Sequence, residues 1–247
     1  MHRRRVTVRS VACVVVLAAF GTIGPRLSAN AQVIPSVVEV KAYRGLFAAA
    51  ASGDLRTTRR LLRGGVNPNA TDAYGRTPAH VAAHFRRRQT LALLLQNKAD
   101  ANRLERDRYD VITIAAVAND PETIRVALRY GARATNVTSR YNGTALIAAA
   151  HLGNIEAVRV LLMAGAPLDH VNNLQWTALL EAIILGDGGG RHTAVVSALV
   201  NAGADISIAD GNGVTPLAHA RSRGYNAIIA ILEAADAKSN LPTQGDS

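Results

Sequence analysis

The chain has 247 residues, of which 49% are hydrophobic, 19% are charged and 4% are aromatic. This length suits one large domain or two small ones, and the apolar fraction excludes a wholly disordered chain. A single cysteine excludes a disulfide framework and any zinc site built from several cysteines. The formal charge of +10 is concentrated in the N-terminal half of the chain.

The first 31 residues have the layout of a secretory signal peptide. Residues 1–9 are basic and free of acids, residues 11–23 form an uncharged aliphatic run, and Ala29 and Ala31 form a small-x-small exit. We predict cleavage before Gln32 and a periplasmic or secreted location. The apolar run is shorter than the ~20 residues that span a bilayer, so we expect no stable membrane span after cleavage. An uncleaved anchor and a twin-arginine export route are the alternatives.

Cleavage would change the charge and the cysteine content of the chain. It would remove five of the 28 basic residues and none of the 18 acidic ones, which leaves 23 − 18 = +5. It would also remove the only cysteine. A cysteine-free chain suits an oxidising compartment, because it has no thiol that could mispair there.

The rest of the chain repeats one motif. The motif is clearest in residues 72–83 (DAYGRTPAHVAA), 142–150 (NGTALIAAA) and 210–220 (DGNGVTPLAHA), each followed by an aliphatic segment with helical spacing. An alanine of its first helix recurs six times, at Ala49, Ala82, Ala115, Ala149, Ala182 and Ala220. The spacings are 33, 33, 34, 33 and 38 residues. In period and motif, this pattern strongly resembles the ankyrin repeat.

The resemblance implies an all-α solenoid of stacked helix-turn-helix units with β-turn or hairpin tips. It divides the chain into a signal peptide at 1–31, a short linker at 32–39, a repeat domain at 40–237 and a polar tail at 238–247. The six expected units are 40–71, 72–104, 105–138, 139–171, 172–209 and 210–237. A single unit cannot bury its apolar face alone, so stability must come from stacking.

Local residue types agree with that reading. Threonines that can cap a helix precede prolines at its first position, at Thr77-Pro78 and Thr215-Pro216. Asp110 replaces this threonine in the third unit, so we expect its first helix to start loosely. The fifth unit has five extra residues within 186–192, which we expect to form a surface loop. Glycines suited to positive φ stand where second helices should end, at Gly65, Gly131, Gly165 and Gly203.

The sequence contains no convincing catalytic or metal-binding pattern. His80 and His84 are four residues apart and would share a helix face, but the resemblance assigns His80 a structural hydrogen bond. His151 and His192 suggest a hydrolase only if a geometry is invented for them. The glycine run 188–190 lacks the following lysine of a phosphate loop. We therefore predict no enzyme activity, no cofactor and no bound metal.

Basic residues form a candidate patch in the N-terminal half. Residues 41–108 contain 14 basic and 5 acidic residues. The patch has two interpretations: a solvated face, or a dock for an acidic protein or the envelope surface. Nucleic acid is disfavoured by the export signal. The patch comprises one predicted second helix and the following turn: Arg56, Arg59, Arg60, Arg63, Arg86, Arg87 and Arg88.

The resemblance also locates a partner-binding surface on the tips and on the exposed positions of the first helices. Exposed Tyr and Trp together with Arg are typical of binding hot spots, although tip aromatics can instead pack on neighbouring units. An exposed apolar strip usually marks a binding site. The predicted tip residues are Tyr74, Arg76, Tyr109, Tyr141 and Trp176, and the predicted helix residues are His84, Phe85, Val117, His151, Leu152, Ile184 and Leu185.

These observations predict an exported scaffold that presents a concave surface to another protein and performs no catalysis. We expect a monomer. Two alternatives remain open: an accessory or protective factor for a periplasmic enzyme, for instance in oxidative stress defence, and an effector or immunity protein. The sequence does not distinguish among them.

Overall fold

The computed structural model describes residues 34–239. The predicted cleavage site at Ala29, Ala31 and Gln32, the signal segment before it and residues 240–247 of the predicted tail lie outside this range. The described residues fall within one compact unit and contain thirteen helices and one two-stranded sheet. No helix in this range is long and apolar enough to cross a membrane.

The helices form two layers, which confirms the all-α repeat fold. A short helix, α1 (Val37–Ala42), precedes the first unit. Each first helix contacts the first helix of the next unit, and each second helix contacts the next second helix. The first helices are α2 (Gly45–Ser52), α4 (Pro78–His84), α6 (Val111–Val117), α8 (Ala145–His151), α10 (Ala178–Ile184) and α12 (Pro216–Ser222). The second helices are α3 (Leu55–Arg63), α5 (Arg88–Gln96), α7 (Pro121–Arg129), α9 (Ile155–Met163), α11 (Gly190–Asn201) and α13 (Asn226–Ser239).

Side-chain caps fix where the first helices begin. The oxygen of Thr77 accepts the backbone N–H three residues ahead, and Thr215 does the same. The expectation of a loose start in the third unit was wrong. Asp110 is buried there, and its carboxylate accepts the N–H of Thr113 at 2.8 Å. A carboxylate caps as well as a hydroxyl, so this helix starts as firmly as its neighbours.

The core lies between the two layers. The recurring alanines of the first helices are fully buried or nearly so, and their small size lets neighbouring helices approach closely. Aliphatic side chains of the second helices fill the remaining space, and each contributes roughly 1.5–3 kcal/mol on burial. Fully buried examples are Leu91, Leu94, Ile124, Leu161, Val196 and Leu199.

Backbone hydrogen bonds connect the tips of successive units. One tip contains a two-residue antiparallel ladder of β1 (Val137–Thr138) and β2 (Gly143–Thr144). Between neighbouring tips, a backbone N–H of one donates to a backbone carbonyl of the other. These bonds are 2.9 Å long and run from Arg106 to Tyr74, from Ser139 to Arg108 and from Asn173 to Tyr141.

The observed helix boundaries refine the predicted layout at three places. Helix α1 begins at Val37, inside the predicted linker 32–39, and α13 continues to Ser239, inside the predicted tail. The insertion at 186–192 is more than a surface loop, because α11 begins at Gly190 and is 12 residues long, against 9 in α9. The predicted glycine ends are confirmed, with φ between +73° and +93° at Gly65, Gly131, Gly165 and Gly203.

The inserted segment is fastened to its neighbours. His192 is buried, and its Nδ1 lies 2.8 Å from the Asp187 carboxylate while its Nε2 lies 3.1 Å from the His151 carbonyl. The Tyr225 hydroxyl donates to the carbonyl of Gly186 at 2.9 Å. Both ring nitrogens of His192 are therefore engaged in holding the segment, and neither is available as a catalytic base.

Candidate protein-binding surface

Arg76 is not part of the accessible surface, which corrects its assignment to partner binding. Only 1% of the residue is exposed. Its Nε donates to Asp72 at 2.7 Å, and its Nη2 donates to the carboxylate of Glu39. The Tyr43 hydroxyl joins the same Asp72 carboxylate at 2.9 Å. Arg76 therefore ties α1 to the tip of the second unit.

The tip aromatics are half-buried. The ring of Tyr74 lies between two guanidinium groups, whose central carbons are 4.6 Å (Arg76) and 5.0 Å (Arg106) from the ring centroid. Tyr109 packs against the core, and burial raises the pKa of its hydroxyl. Its role is therefore mainly structural. Tyr74, Tyr141 and Trp176 each keep a partly exposed surface at the tips.

Aliphatic residues form a partly exposed strip along the ends of three first helices. Val117, Leu152 and Ile184 are half-buried, and Leu185 is 39% exposed. We call these four residues the aliphatic strip. They come from units 3, 4 and 5, so stacking alone brings them onto one layer. Phe85 of the second unit is half-buried at the matching place and packs against the core.

A polar chain crosses this layer between the fourth and fifth units. His151 has a 46% exposed side chain, and its Nδ1 lies 3.0 Å from the carboxylate of Glu181. The other oxygen of Glu181 accepts the side-chain N–H of Asn172 at 2.9 Å. Glu181 is buried on α10, so these hydrogen bonds hold a buried carboxylate below the exposed imidazole of His151. His151 is thus exposed at the surface, whereas the Glu181 carboxylate to which it is bound is buried.

The two histidines of α4 are uncharged at neutral pH, and His80 is a structural group. His80 Nδ1 accepts the backbone N–H of Thr77 at 3.0 Å, and its Nε2 lies 2.9 Å from the carbonyl of Arg103 in the next unit. Burial lowers the pKa of His80 to about 4. Burial and the nearby charges of His80 and Arg76 lower the pKa of His84 to about 3. His84 is half-buried and so contributes an uncharged surface.

The predicted basic patch divides into two parts with different roles. Arg86 donates to the carbonyl of Ala118 at 2.6 Å, and Arg88 forms an ion pair with the buried Asp120 at 2.7 Å. Arg87 donates in the other direction, to the carbonyl of Ala51 at 3.0 Å. These three arginines bridge units 1, 2 and 3. Their guanidinium groups are therefore engaged in contacts between units, although all three side chains remain exposed.

The other part lies on the second-helix layer. Arg56, Arg59, Arg60 and Arg63 are all exposed on α3, and we call them the arginine face. They line a shallow groove of about 280 Å³. Within residues 34–239, none of the four forms an ion pair with a carboxylate.

Similarity to known proteins identifies the family of this scaffold. Residues 46–136 and 112–210 match the family described as ankyrin repeats (3 copies), and together these regions span more than half of the chain. The ankyrin repeat protein YahD of Escherichia coli (strain K12) is 32% identical over 190 residues, which cover 76% of this chain and 94% of that protein. The chain belongs to the ankyrin repeat family.

Another comparison supports the ankyrin assignment at the level of structure. The crystal structure of an ankyrin repeat domain from Acinetobacter baumannii AYE has a TM-score of 0.74 and 39% sequence identity, and the match covers 77% of this chain and 97% of that domain. L-asparaginase of Dirofilaria immitis is 28% identical over 182 residues, but this stretch covers 30% of that enzyme. Because the match covers less than a third of that enzyme, its activity is not assigned to this chain.

Ankyrin arrays bind other proteins through an extended concave surface. In this chain, the residues that the structure leaves accessible there are the aliphatic strip, His151, His84 and the tip aromatics other than Tyr109. Sequence reasoning missed Glu181 and Asn172. Their signal was a carboxylate at a first-helix position where the second, third and fourth units have Val81, Ile114 and Ala148.

Proposed function

We propose that this protein is an exported ankyrin scaffold that binds a protein partner through the aliphatic strip at the C-terminal ends of the first helices and through the tips that precede their N-terminal ends. The observation that carries the proposal is the strip itself, since four aliphatic side chains from three units remain partly exposed on one layer. Apolar side chains that stay accessible on one face of a fold usually mark an interaction site. The signal-like start of the sequence supports export to the periplasm or beyond.

The mechanism is recognition by a preformed surface. Stacked helices and tip-to-tip backbone bonds hold the strip in place, so binding orders few side chains and costs little conformational entropy. The partly exposed rings of Tyr74, Tyr141 and Trp176 supply anchors at one edge. We expect a partner surface with complementary apolar residues and with a donor or carboxylate that can face His151.

Paired variants test this proposal. Leu152→Glu with Leu185→Glu introduces charge into the strip, and we expect it to abolish capture of a partner from an envelope extract. Met163→Glu is the matched control, because Met163 is 76% exposed at the end of α9, in the other layer. Helical circular dichroism should be the same for all three proteins.

The outcome separates the proposal from its competitors. Equal capture by the strip variant and the control would refute binding through the strip. If a captured protein is an enzyme whose activity or stability falls when this scaffold is removed, the role is that of an accessory factor. If expression of the captured protein is toxic and this scaffold rescues growth, the role is immunity.

A further inference from the structure

The spacing of the arginine face places its four charges on one side of α3. Positions i, i+3, i+4 and i+7 lie on one side of a helix, so the four guanidinium groups of α3 project from a single face. The opposite side of α3 is anchored by the buried Thr58 and by Leu61 and Leu62, which pack against the core. The helix is thus fixed in the second-helix layer with its cations directed outward.

Equivalent positions in other units show what this face lacks. In α7, Arg125 pairs with Glu122 three residues before it, and in α9, Arg159 pairs with Glu156 at 2.9 Å. The same two positions in α3 are Arg56 and Arg59. The fold therefore accommodates a self-neutralising Glu–Arg pair here, and unit 1 has two like charges instead. Like charges at this spacing weaken a helix slightly.

A requirement for solubility does not account for a single sign of charge. A terminal unit needs a polar outer face, but mixed charges or acids meet that need equally well. The nearest acid in sequence, Asp54, caps α3 by accepting the N–H of Thr57 at 2.9 Å. Asp54 attracts Arg56 but forms no ion pair with it. The four cations therefore lack a neutralising partner, and their arrangement favours an anionic ligand from outside the chain.

We infer that the arginine face docks on a membrane surface by binding the phosphate groups of anionic phospholipids. Guanidinium forks match phosphate oxygens in paired hydrogen bonds. The groove is shallow and open on the outer side of one helix, which suits a flat array of headgroups better than a peptide that must be enclosed.

This docking surface does not overlap the proposed protein-binding surface. The arginine face belongs to the second-helix layer, whereas the aliphatic strip belongs to α6, α8 and α10 of the first-helix layer. Lipid binding would therefore leave every residue of the strip available. Failure of either proposal leaves the other intact.

Vesicle cosedimentation of the purified full chain tests the inference. We expect tighter binding to an equal mixture of phosphatidylcholine and phosphatidylglycerol than to phosphatidylcholine alone. Each basic residue at an anionic surface contributes about fivefold in affinity, so the double variant Arg56→Gln, Arg59→Gln should bind about 25-fold more weakly at low salt. The basic N-terminal residues are common to all variants and cancel in this ratio.

The matched control removes the same charge elsewhere. Arg125→Gln with Arg159→Gln acts on outer helices whose arginines are already paired, so affinity should change by less than about threefold. Arg56→Glu provides a folding check, because the new carboxylate can pair with Arg59 as Glu122 pairs with Arg125. We expect this variant to melt no lower than the wild type and yet to lose vesicle binding.

Three results would overturn the inference. The first is equal affinity for neutral and anionic vesicles. The second is an equal loss of affinity in the two double variants, which would mean that net charge alone governs binding. The third is binding of soluble polyglutamate without binding of anionic vesicles, which would identify the ligand as an acidic protein.

Discussion

Arg76 fastens α1 to the second unit, and its replacement should loosen that end of the array. The Arg76 side chain is almost fully buried and donates to Asp72 and to Glu39. A hydrogen bond to a charged group contributes about 1.5–3 kcal/mol, and the partial exposure of Glu39 places its bond at the low end. Arg76→Met keeps the aliphatic volume but breaks both bonds. We expect it to lower the free energy of unfolding by about 3 kcal/mol.

The loss should depend on pH in a defined direction. Burial of Glu39 raises the pKa of its carboxyl, but hydrogen bonds from Ser36 and Arg76 outweigh this and lower it from 4.5 to about 2. A carboxyl with a lowered pKa stabilises the fold above its unfolded pKa, and this stability is lost as pH falls from 4.5 towards 2. The difference in free energy of unfolding between wild type and Arg76→Met should therefore be largest at neutral pH and should become smaller below pH 4.5.

Urea unfolding with two probes measures this effect. Circular dichroism reports all helices, whereas fluorescence of Trp176, the single tryptophan, reports the fifth unit. Because contacts in a repeat array are between neighbours, Arg76→Met should shift the circular dichroism midpoint more than the fluorescence midpoint. Arg106→Met, on the exposed side of the Tyr74 ring, is the control and should cost less than about 1 kcal/mol. Two results would refute the reasoning. One is an equal loss of unfolding free energy in Arg76→Met and Arg106→Met, and the other is a difference between wild type and Arg76→Met that grows in acid.

Three further predictions concern buried or strained positions. Gly188→Ala should lower the melting temperature and reduce the free energy of unfolding by about 2 kcal/mol or more, because φ is +67° and a Cβ would lie 2.4 Å from the Tyr225 ring. Gly190→Ala is the control and should be nearly neutral, because a Cβ there would have no atom within 4 Å. Glu105→Gln should raise the free energy of unfolding at pH 7 by about 1 kcal/mol, because burial raises the pKa of Glu105 and its Oε2 has no hydrogen-bond partner. That gain in unfolding free energy should disappear in acid, where the wild-type carboxyl is protonated. Urea titrations at pH 7 and in acid measure it, and an equal gain at both would contradict the argument. Asp120→Ala should cost about 2 kcal/mol in chemical unfolding and Asp120→Asn about half of that, since only the amide can still cap α7; equal costs would contradict this.

The features that the sequence predicted are local or periodic. Caps such as Thr77 and glycine ends such as Gly165 depend on backbone geometry within a few residues, and the sequence shows that geometry directly. The recurring alanines predicted the stacking because their period equals one unit. The partly exposed strip followed from the same register, since Val117 and Ile184 occupy one position of the motif, and Leu152 and Leu185 occupy the next.

The roles of the arginines could not be predicted in the same way, because each role depends on a residue from another unit. Arg76 reaches Glu39, 37 residues earlier, and Arg88 reaches Asp120, 32 residues later. In sequence, both resemble the exposed Arg59. Composition and helical spacing do not distinguish a buried anchor, an inter-unit bridge and a free cation. A comparison of equivalent positions in neighbouring units distinguishes these roles in part, because it shows which acidic residue each arginine can reach.

The orphaned carboxylate of Glu105 shows how far such a comparison can go. In the fifth and sixth units, the polar residue that opens the tip bonds to the side chain nine positions later: Asn172 to Glu181 at 2.9 Å, and Asp210 to His219 at 2.8 Å. Nine positions after Glu105 the third unit has an isoleucine, which offers no polar group. Glu105 Oε2 therefore lacks the partner that this offset supplies in the fifth and sixth units. In the second unit Asp72 has Val81 at the same offset but is bonded by Arg76 and Tyr43 instead, so only the structure shows which buried carboxylate is left unsatisfied.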